Sequence, residues 1–422
     1  MRLAETPKAE NYIMSNKLKV AILASSLAIL VFTFVGGFVH VRASSNDGAY
    51  RQLQVYSEVL GRIRGDYVEE PSITGVTEGA LHGLLESLDA NSSYLSEAEY
   101  KRYKAMRPEG KANIGAAVSK RFGYADVVAV IPGGPAEKAG IENADILESI
   151  EGKSTHEMSL AEIRTLLVGE VGSTLTVAVV RPRKAEPTKI VITRDVVAIP
   201  PVADKMLADN VGYVKVDAFP AGEAEQIAGK IRELQKQGAK KLVLDLRNSA
   251  SGEESEGIAA ANLFLDHGTI TYLQGQKFPR QAFNADPAKD ITKLPVAVLV
   301  NRGTAGPAEV VAAAILENAR GDVVGDKTFG DGSVQKVIEM RDNAGALILS
   351  VAKYYSPSGK AIQDAAVTPN VLIADNEDDG GLPDDDAAPA ANPDEKNAQP
   401  KNQIDEQLNK ALEVLKNRES KG

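Results

Sequence analysis

PVAVLVNRGTAGPAEVVAAAILENA, residues Pro295 to Ala319, joins three local signals in one stretch. Pro295–Val300 is a short aliphatic run closed by a Gly-containing turn, the pattern of a buried strand. Pro307–Ala319 repeats apolar residues at helical spacing, and Pro307 suits the first helical position. Strand, tight turn and helix in that order is where many hydrolases hold a nucleophile. Here the turn offers Thr304, Gly306 and Pro307, and no serine.

The same alternation continues on both sides. Val211–Val216 reads as a strand, Glu223–Gln237 as a helix, Lys241–Leu246 as a buried strand and Glu256–Leu265 as a helix. Asp322–Gly325 and Ala346–Ala352 read as further strands. Strands alternating with helices favour an α/β domain with a largely parallel sheet. Residues 50 to 105 read as helices, with Tyr56, Val59, Leu60 and Ile63 at helical spacing. From Asn113 to about Arg181 the texture becomes short β-rich runs broken by Gly and Pro, with one helix at Ser159–Val168.

Composition narrows the function classes. A chain of 422 residues should hold about two or three domains. The net charge of −10 argues against nucleic-acid binding, which needs a basic surface. Most of that charge is local: residues 375–396 carry nine acids against Lys396 alone. With no cysteine, disulfides, thiol nucleophiles and thiolate metal sites are excluded. Val20–Val39 is twenty residues without a charge, long enough to span about 30 Å of hydrocarbon as a helix. Arg2, Lys8, Lys17 and Lys19 precede it, which places the N-terminus in the cytoplasm and the body outside the cytoplasmic membrane, periplasmic in a bacterium. Cleavage of a signal segment near Ala43 is the alternative. Beyond Ile373 the chain turns acidic and rich in Pro, Ala and Asn, so it is expected to be disordered. An amphipathic helix returns at Ile404–Leu415.

PGGPAEKAGIENADILESIEGKSTHEMSL (Pro132–Leu160) resembles the core of a PDZ domain. Asn113-Ile114-Gly115-Ala116 sits where that fold carries its carboxylate-binding loop. There, successive N–H groups hold a peptide's terminal carboxylate while the peptide adds a strand to the sheet edge. Ile114, Gly115 and Ala116 are the implied loop, and Ile163 and Leu167 the implied helix wall of the groove.

Flanking motifs extend the likeness. EGALHGLLESLDANSSYLSEAEY (Glu78–Tyr100), VGYVKVDAFP (Val211–Pro220), KLVLDLRN (Lys241–Asn248), GDKTFGDGSVQ (Gly325–Gln335) and AKYYSPSGKAIQDAAVTPNV (Ala352–Val371) occur in order. Together they resemble the C-terminal processing, or tail-specific, serine peptidases over residues 50 to 373. The implied class is mixed α/β (α+β). It comprises a helical N-terminal region (50–110), a PDZ domain (111–195) and a ClpP/crotonase-like peptidase core (196–373). These follow a cytoplasmic N-terminus (1–19) and an anchor or signal segment (20–41), and precede an acidic linker (374–403) and a helix (404–418).

That family is described as using a Ser/Lys dyad, with a buried neutral lysine as general base. Its nucleophile turn reads Ser-Ala-Ser-Ala-Ser-Glu, against Thr304-Ala305-Gly306-Pro307-Ala308-Glu309 here, so Gly306 stands at the nucleophile. Its base lies in Phe-Gly-Lys-Gly, against Phe329-Gly330-Asp331-Gly332 here, so Asp331 stands at the lysine. Gln335, an auxiliary polar residue in the family, is retained. The oxyanion loop reads Asn248-Ser249-Ala250-Ser251-Gly252, with Ser251 and Gly252 at the Gly-Gly positions. The resemblance therefore implies a degenerate member that binds protein C-termini or unfolded tails and holds no cofactor or metal; the alternatives are an active serine-type endopeptidase with a relocated catalytic group and a non-catalytic subunit of an active homologue.

Substitutes are poorly placed. Thr304 lies two residues before the nucleophile position and Lys327 four before Asp331, displacements of several ångströms where about 1 Å can cost a hundredfold. His40, His82, His156 and His267 lie in separate regions and suggest no triad. Glu309 reads as a capping residue at the start of its helix. Asp375–Asp386 has partial calcium-loop spacing, but Pro383 at position 9 and the absence of flanking helix-like sequence favour a solvated linker.

Overall fold

The computed structural model describes residues 20, 23–27, 30–31, 47–105, 112–121, 123–181, 184–374 and 405–419. Most of Val20–Val39 lies outside these, as do the acidic segment 375–403 and Ile404. Among the described residues no helix is long and apolar enough to cross a membrane. The chain divides into two compact units, residues up to Glu78 and Gly79–Gly422. The first holds α1 (Asp47–Asp66), whose apolar residues Leu53, Tyr56 and Val59 are exposed. α2 (Ile73–Glu86) runs across the boundary.

In the second unit, β1 (Ser93–Leu95) and α3 (Glu97–Ala105) come first. β1 corrects the all-helical reading of residues 50–105. Its three residues pair antiparallel with Ala346–Ile348, a partner some 250 positions away that no local pattern announces. A small domain follows, built of β2 (Ala116–Arg121), β3 (Tyr124–Val130), α4 (Pro135–Lys138), β4 (Ile146–Ile150), β5 (Lys153–Ser154), α5 (Leu160–Leu167), β6 (Thr174–Arg181) and β7 (Lys184–Thr193). Its sheet runs β2-β3-β4-β6-β7, and Ile114, Val127, Leu147, Ile150, Ile163 and Val177 form the core. Ser159 starts α5 by accepting a 3.2 Å bond from the Glu162 N–H, the usual answer to an unpaired first-turn donor.

The larger domain contains β8 (Ala203–Leu207), β9 (Val211–Lys215), α6 (Glu223–Lys236), β10 (Lys241–Asp245), α7 (Glu254–Asn262), β11 (Thr269–Gln274), β12 (Gln281–Asn284), β13 (Val296–Val300), α8 (Pro307–Glu317), β14 (Asp322–Gly325), β15 (Ser333–Glu339), β16 (Ala346–Tyr355) and β17 (Val371–Leu372). Its main sheet has the order β17-β14-β13-β10-β9-β8, with every neighbour parallel except β8. Successive strand residues face opposite sides. Leu242, Leu244, Val296 and Val298 pack with Ile227, Ile231 and Val311 of the helical layer. Val243, Ala297, Leu299 and Val324 face the other way and meet Ala411 and Leu415 of a last helix, α9 (Glu406–Glu419). Both faces are covered, which is why these strands read as continuous apolar runs. Arg247 clamps the start of α9, its two Nη atoms lying 3.0 and 2.9 Å from the Asp405 carboxylate.

A second sheet, β1-β16-β11-β12 with β15 on β16, completes the fold. Of its five strands the sequence pattern singled out only β16. β1 is three residues long, β12 and β15 are mostly exposed, and β11 is buried at four of its six positions; all four are paired within this sheet.

Candidate functional site

β13 ends at Val300 and the chain turns through Asn301–Ala305 into α8. Thr304 brackets this turn. Its hydroxyl donates to the Leu246 carbonyl at 2.8 Å, accepts from the Asn301 N–H at 3.0 Å, and is wholly buried. A hydroxyl held so is structural. Asn301 and Asn248 exchange bonds, the Asn301 amide donating to Asn248 Oδ1 at 2.8 Å and its Oδ1 accepting from the Asn248 N–H at 2.9 Å. The turn and the loop after β10 are thereby fixed together.

Gly306 precedes α8 with φ +59° and ψ −123°, a conformation that costs an L-residue about 1–3 kcal/mol. A Cβ built there would meet only Glu254 Oε1, at 3.4 Å. The backbone keeps the elbow of a nucleophile turn and the space for a side chain, and no side chain stands in it. The Gly306 N–H is taken up within the turn. It donates to Glu309 Oε2 at 3.1 Å.

Glu309 does more than cap. Fully buried, it also accepts from the N–H of Gly330 at 2.9 Å, the N–H of Asp331 at 2.8 Å and the Thr328 hydroxyl. One carboxyl thus ties Gly306 to Asp331, the two residues that the resemblance aligns with the nucleophile and the base. Burial pushes its pKa up to about 8, against the pull of those donors.

Asp331 accepts a bond from the Asn91 side-chain amide at 3.3 Å, and Asn91 also donates to the Ser333 hydroxyl at 3.2 Å. Gln335 donates to the same hydroxyl at 2.7 Å. Lys327 is exposed at the surface, away from this network. Glu254, at the start of α7, is the group the sequence did not flag. Its Oε2 is shut off from solvent without a hydrogen-bond partner. Burial, then the charges of Asp331 and Glu309, push its pKa up to about 8.

That shift fixes a sign for pH dependence. Glu254 keeps its proton in the folded chain up to about pH 8 and loses it near 4.5 when unfolded, so its contribution is complete below 4.5 and is lost as pH rises through 8. Urea unfolding should show greater stability at pH 5 than at pH 8, with Glu254 contributing on the order of 3 kcal/mol. Glu254→Gln should flatten the curve; an unchanged slope in that variant refutes the assignment.

The loop after β10 carries Ala250, Ser251 and Gly252. The Phe219 N–H donates to the Ser251 carbonyl at 2.8 Å, and Gly252 bridges to Phe219. Ala250 and Ser251 face a cavity of about 430 Å³ shared by both domains. Ile114, Gly115, Ala116, Arg164 and Leu167 line it on one side, Ala305, Phe329 and Asp331 on the other. Ile163 is corrected here. It is wholly buried in the small domain's core, and Arg164, about 100° further round α5, takes the groove position instead. The Gly115 N–H, expected to serve a ligand, donates to Asn113 Oδ1 at 2.7 Å.

Among the histidines, His82 lies 3.5 Å from Glu99, His156 packs on Tyr124 and His267 is exposed beside Asp266. His40 and the calcium-like segment lie outside the described residues. Asn91, Arg164 and Glu254 come from three separate segments. Only long-range packing brings them to the site.

The architecture is that of a PDZ domain set on a serine-peptidase-like α/β core. The PDZ-domain model matches residues 127–181 and the Peptidase family S41 model residues 210–373. The carboxy-terminal processing protease CtpA of Bacillus subtilis is 31% identical over 353 residues, covering 83% of this chain and 74% of its own. The carboxyl-terminal-processing protease of a Picosynechococcus species is 34% identical over 300 residues, 70% and 72% of the two chains. The photosystem II D1 C-terminal processing protease superposes with a TM-score of 0.63 at 27% identity, covering 76% of this chain and 92% of its own. The chain belongs to the carboxyl-terminal processing protease family, Peptidase family S41.

Proposed function

We propose that this family member is a pseudoprotease that binds polypeptide C-termini or unfolded tails in the shared cavity without cutting them. One observation carries the reading. Glycine at the nucleophile position and a carboxylate at the base position are joined through Glu309 into one hydrogen-bonded unit. Hydroxyl and amine are both missing, and the nearest hydroxyl, Thr304, is bonded on both sides. A serine peptidase needs a nucleophile and a base within hydrogen-bond reach of each other. The PDZ groove and the core site open into the same cavity, so a tail entering one reaches the other. The uncharged Val20–Val39 run after four basic residues supports an anchored, extracytoplasmic body.

The test uses the full-length protein in detergent and an unfolded substrate with an apolar C-terminus. Fluorescence anisotropy should report binding, and mass spectrometry should find the substrate intact after prolonged incubation. Turnover that disappears in Thr304→Ala or Lys327→Ala would mean that the chemistry has moved and that the protein is a peptidase.

A further inference from the structure

The place vacated at Gly306 is not neutral ground. The Glu254 carboxyl reaches into it, with Oε1 at 3.4 Å from where a Cβ would stand. Asp331 faces it from the base position, close enough to act on Glu254 electrostatically, as does Glu309. Glu309 has its oxygens filled by four donors. Asp331 has Asn91 and feels the positive charge of Arg164. Arg164 itself is engaged, since its Nε and Nη2 donate to the Val118 carbonyl at 3.3 and 3.2 Å. Of these three carboxyls only Glu254 holds an oxygen, Oε2, that is buried with no partner, while its Oε1 is the oxygen nearest the vacated position. Burying an unpaired carboxyl oxygen costs about 1–3 kcal/mol, and a donor supplied by a ligand would recover it.

We propose that this vacated nucleophile position is a subsite for a cationic side chain, the ammonium of a lysine carried on the bound polypeptide tail, held by Glu254 and Asp331. The inference rests on the tail-binding reading and names what the cleft prefers. Three facts support the sign. The substitution at the base position replaces a cation by an anion. Glu254 has carboxyl neighbours in Asp331 and Glu309 and the Tyr354 phenol within reach of its charge, while the Arg164 guanidinium, whose charge reaches Asp331, places two of its donors on the Val118 carbonyl. Glu254 Oε2 is also buried with no donor of its own. An ammonium with three donors can bond both carboxyls at once.

A distinctive consequence follows from protonation. Glu254, pushed up to about 8, is largely protonated at pH 7, and a bound ammonium favours its charged form. Binding should therefore release a proton to the buffer.

The experiment is isothermal titration of the full-length protein with decapeptides of identical apolar sequence, in which one lysine is walked through the last six positions. The controls carry alanine or glutamate throughout those positions. At least one lysine peptide should bind about tenfold tighter than the alanine peptide, the worth of one charge-assisted hydrogen bond less the deprotonation it requires. Its heat at pH 7 should vary with the buffer's ionisation enthalpy, showing proton release. In Glu254→Gln, and separately in Asp331→Asn, lysine and alanine peptides should bind alike. A lysine scan with no preferred position overturns the subsite, and so does a preference that survives both variants. Failure of every peptide to bind overturns the tail-binding reading itself, so the two failures are distinct.

Discussion

Glu309→Ala should abolish the native fold at moderate temperature, or lower the thermal midpoint by more than about 10 °C. The substitution removes the acceptor of four donors at once: the N–H groups of Gly306, Gly330 and Asp331 and the hydroxyl of Thr328, which keeps only the Val367 carbonyl at 3.4 Å. Each buried group left unpaired costs about 1–3 kcal/mol, and even partial relaxation leaves a loss on the order of 5 kcal/mol. That is a large share of a typical domain's 5–15 kcal/mol. Glu309→Gln separates acceptor count from volume. It fills the same space but turns an NH₂ toward two donors, so it should recover less than half of the loss. A Gln variant as stable as the parent would show that the four bonds are not what holds the loop. The measurement is urea unfolding followed by circular dichroism, with near-ultraviolet signals reporting the site's tyrosines.

Gly252→Ala is the second large effect. Gly252 has φ +128°, and a Cβ there would stand 2.2 Å from the Phe219 carbonyl oxygen and 2.4 Å from its carbon. The neighbour is backbone, so no rotamer change relieves the clash. The bond from the Phe219 N–H to Ser251 and the bond from the Glu253 N–H to the Phe219 carbonyl, both 2.8 Å, would stretch. Conformational strain of about 1–3 kcal/mol adds to an overpacking cost of about 1–3 kcal/mol, so a loss above 3 kcal/mol is expected. Gly229→Ala is the internal control. Gly229 lies inside α6 with nothing within 4 Å of the added atom, and alanine there should stabilise by about 1 kcal/mol. Equal effects at the two positions would contradict this account.

The sequence resolved those elements whose own residues carry the pattern. β13 is aliphatic throughout, and β10 is so between Lys241 and Asp245, because both faces of the main sheet are covered, and α5 and α8 announce themselves by Ser159 and Pro307 at their starts. Linked motifs mark the positions of Gly306 and Asp331. What failed had one cause. β1, β11, β12 and β15 are held by partners elsewhere in the chain, so their own residues carry little period. Ile163 and Arg164 are adjacent, and a residue-by-residue match to a groove does not say which of two neighbours turns inward.

By itself the sequence determined the strand–turn–helix at Pro295–Ala319, the order of the PDZ and peptidase segments and the residue identities Gly306 and Asp331, because local period and residue identity are written along the chain. The tertiary structure alone decided what occupies the site instead. Glu254, Glu309, Asp331, Asn91 and Arg164 span some 240 positions and meet only when the sheets close. Their hydrogen bonds and the burial that shifts their charges depend on distances through space, which no spacing along the chain encodes.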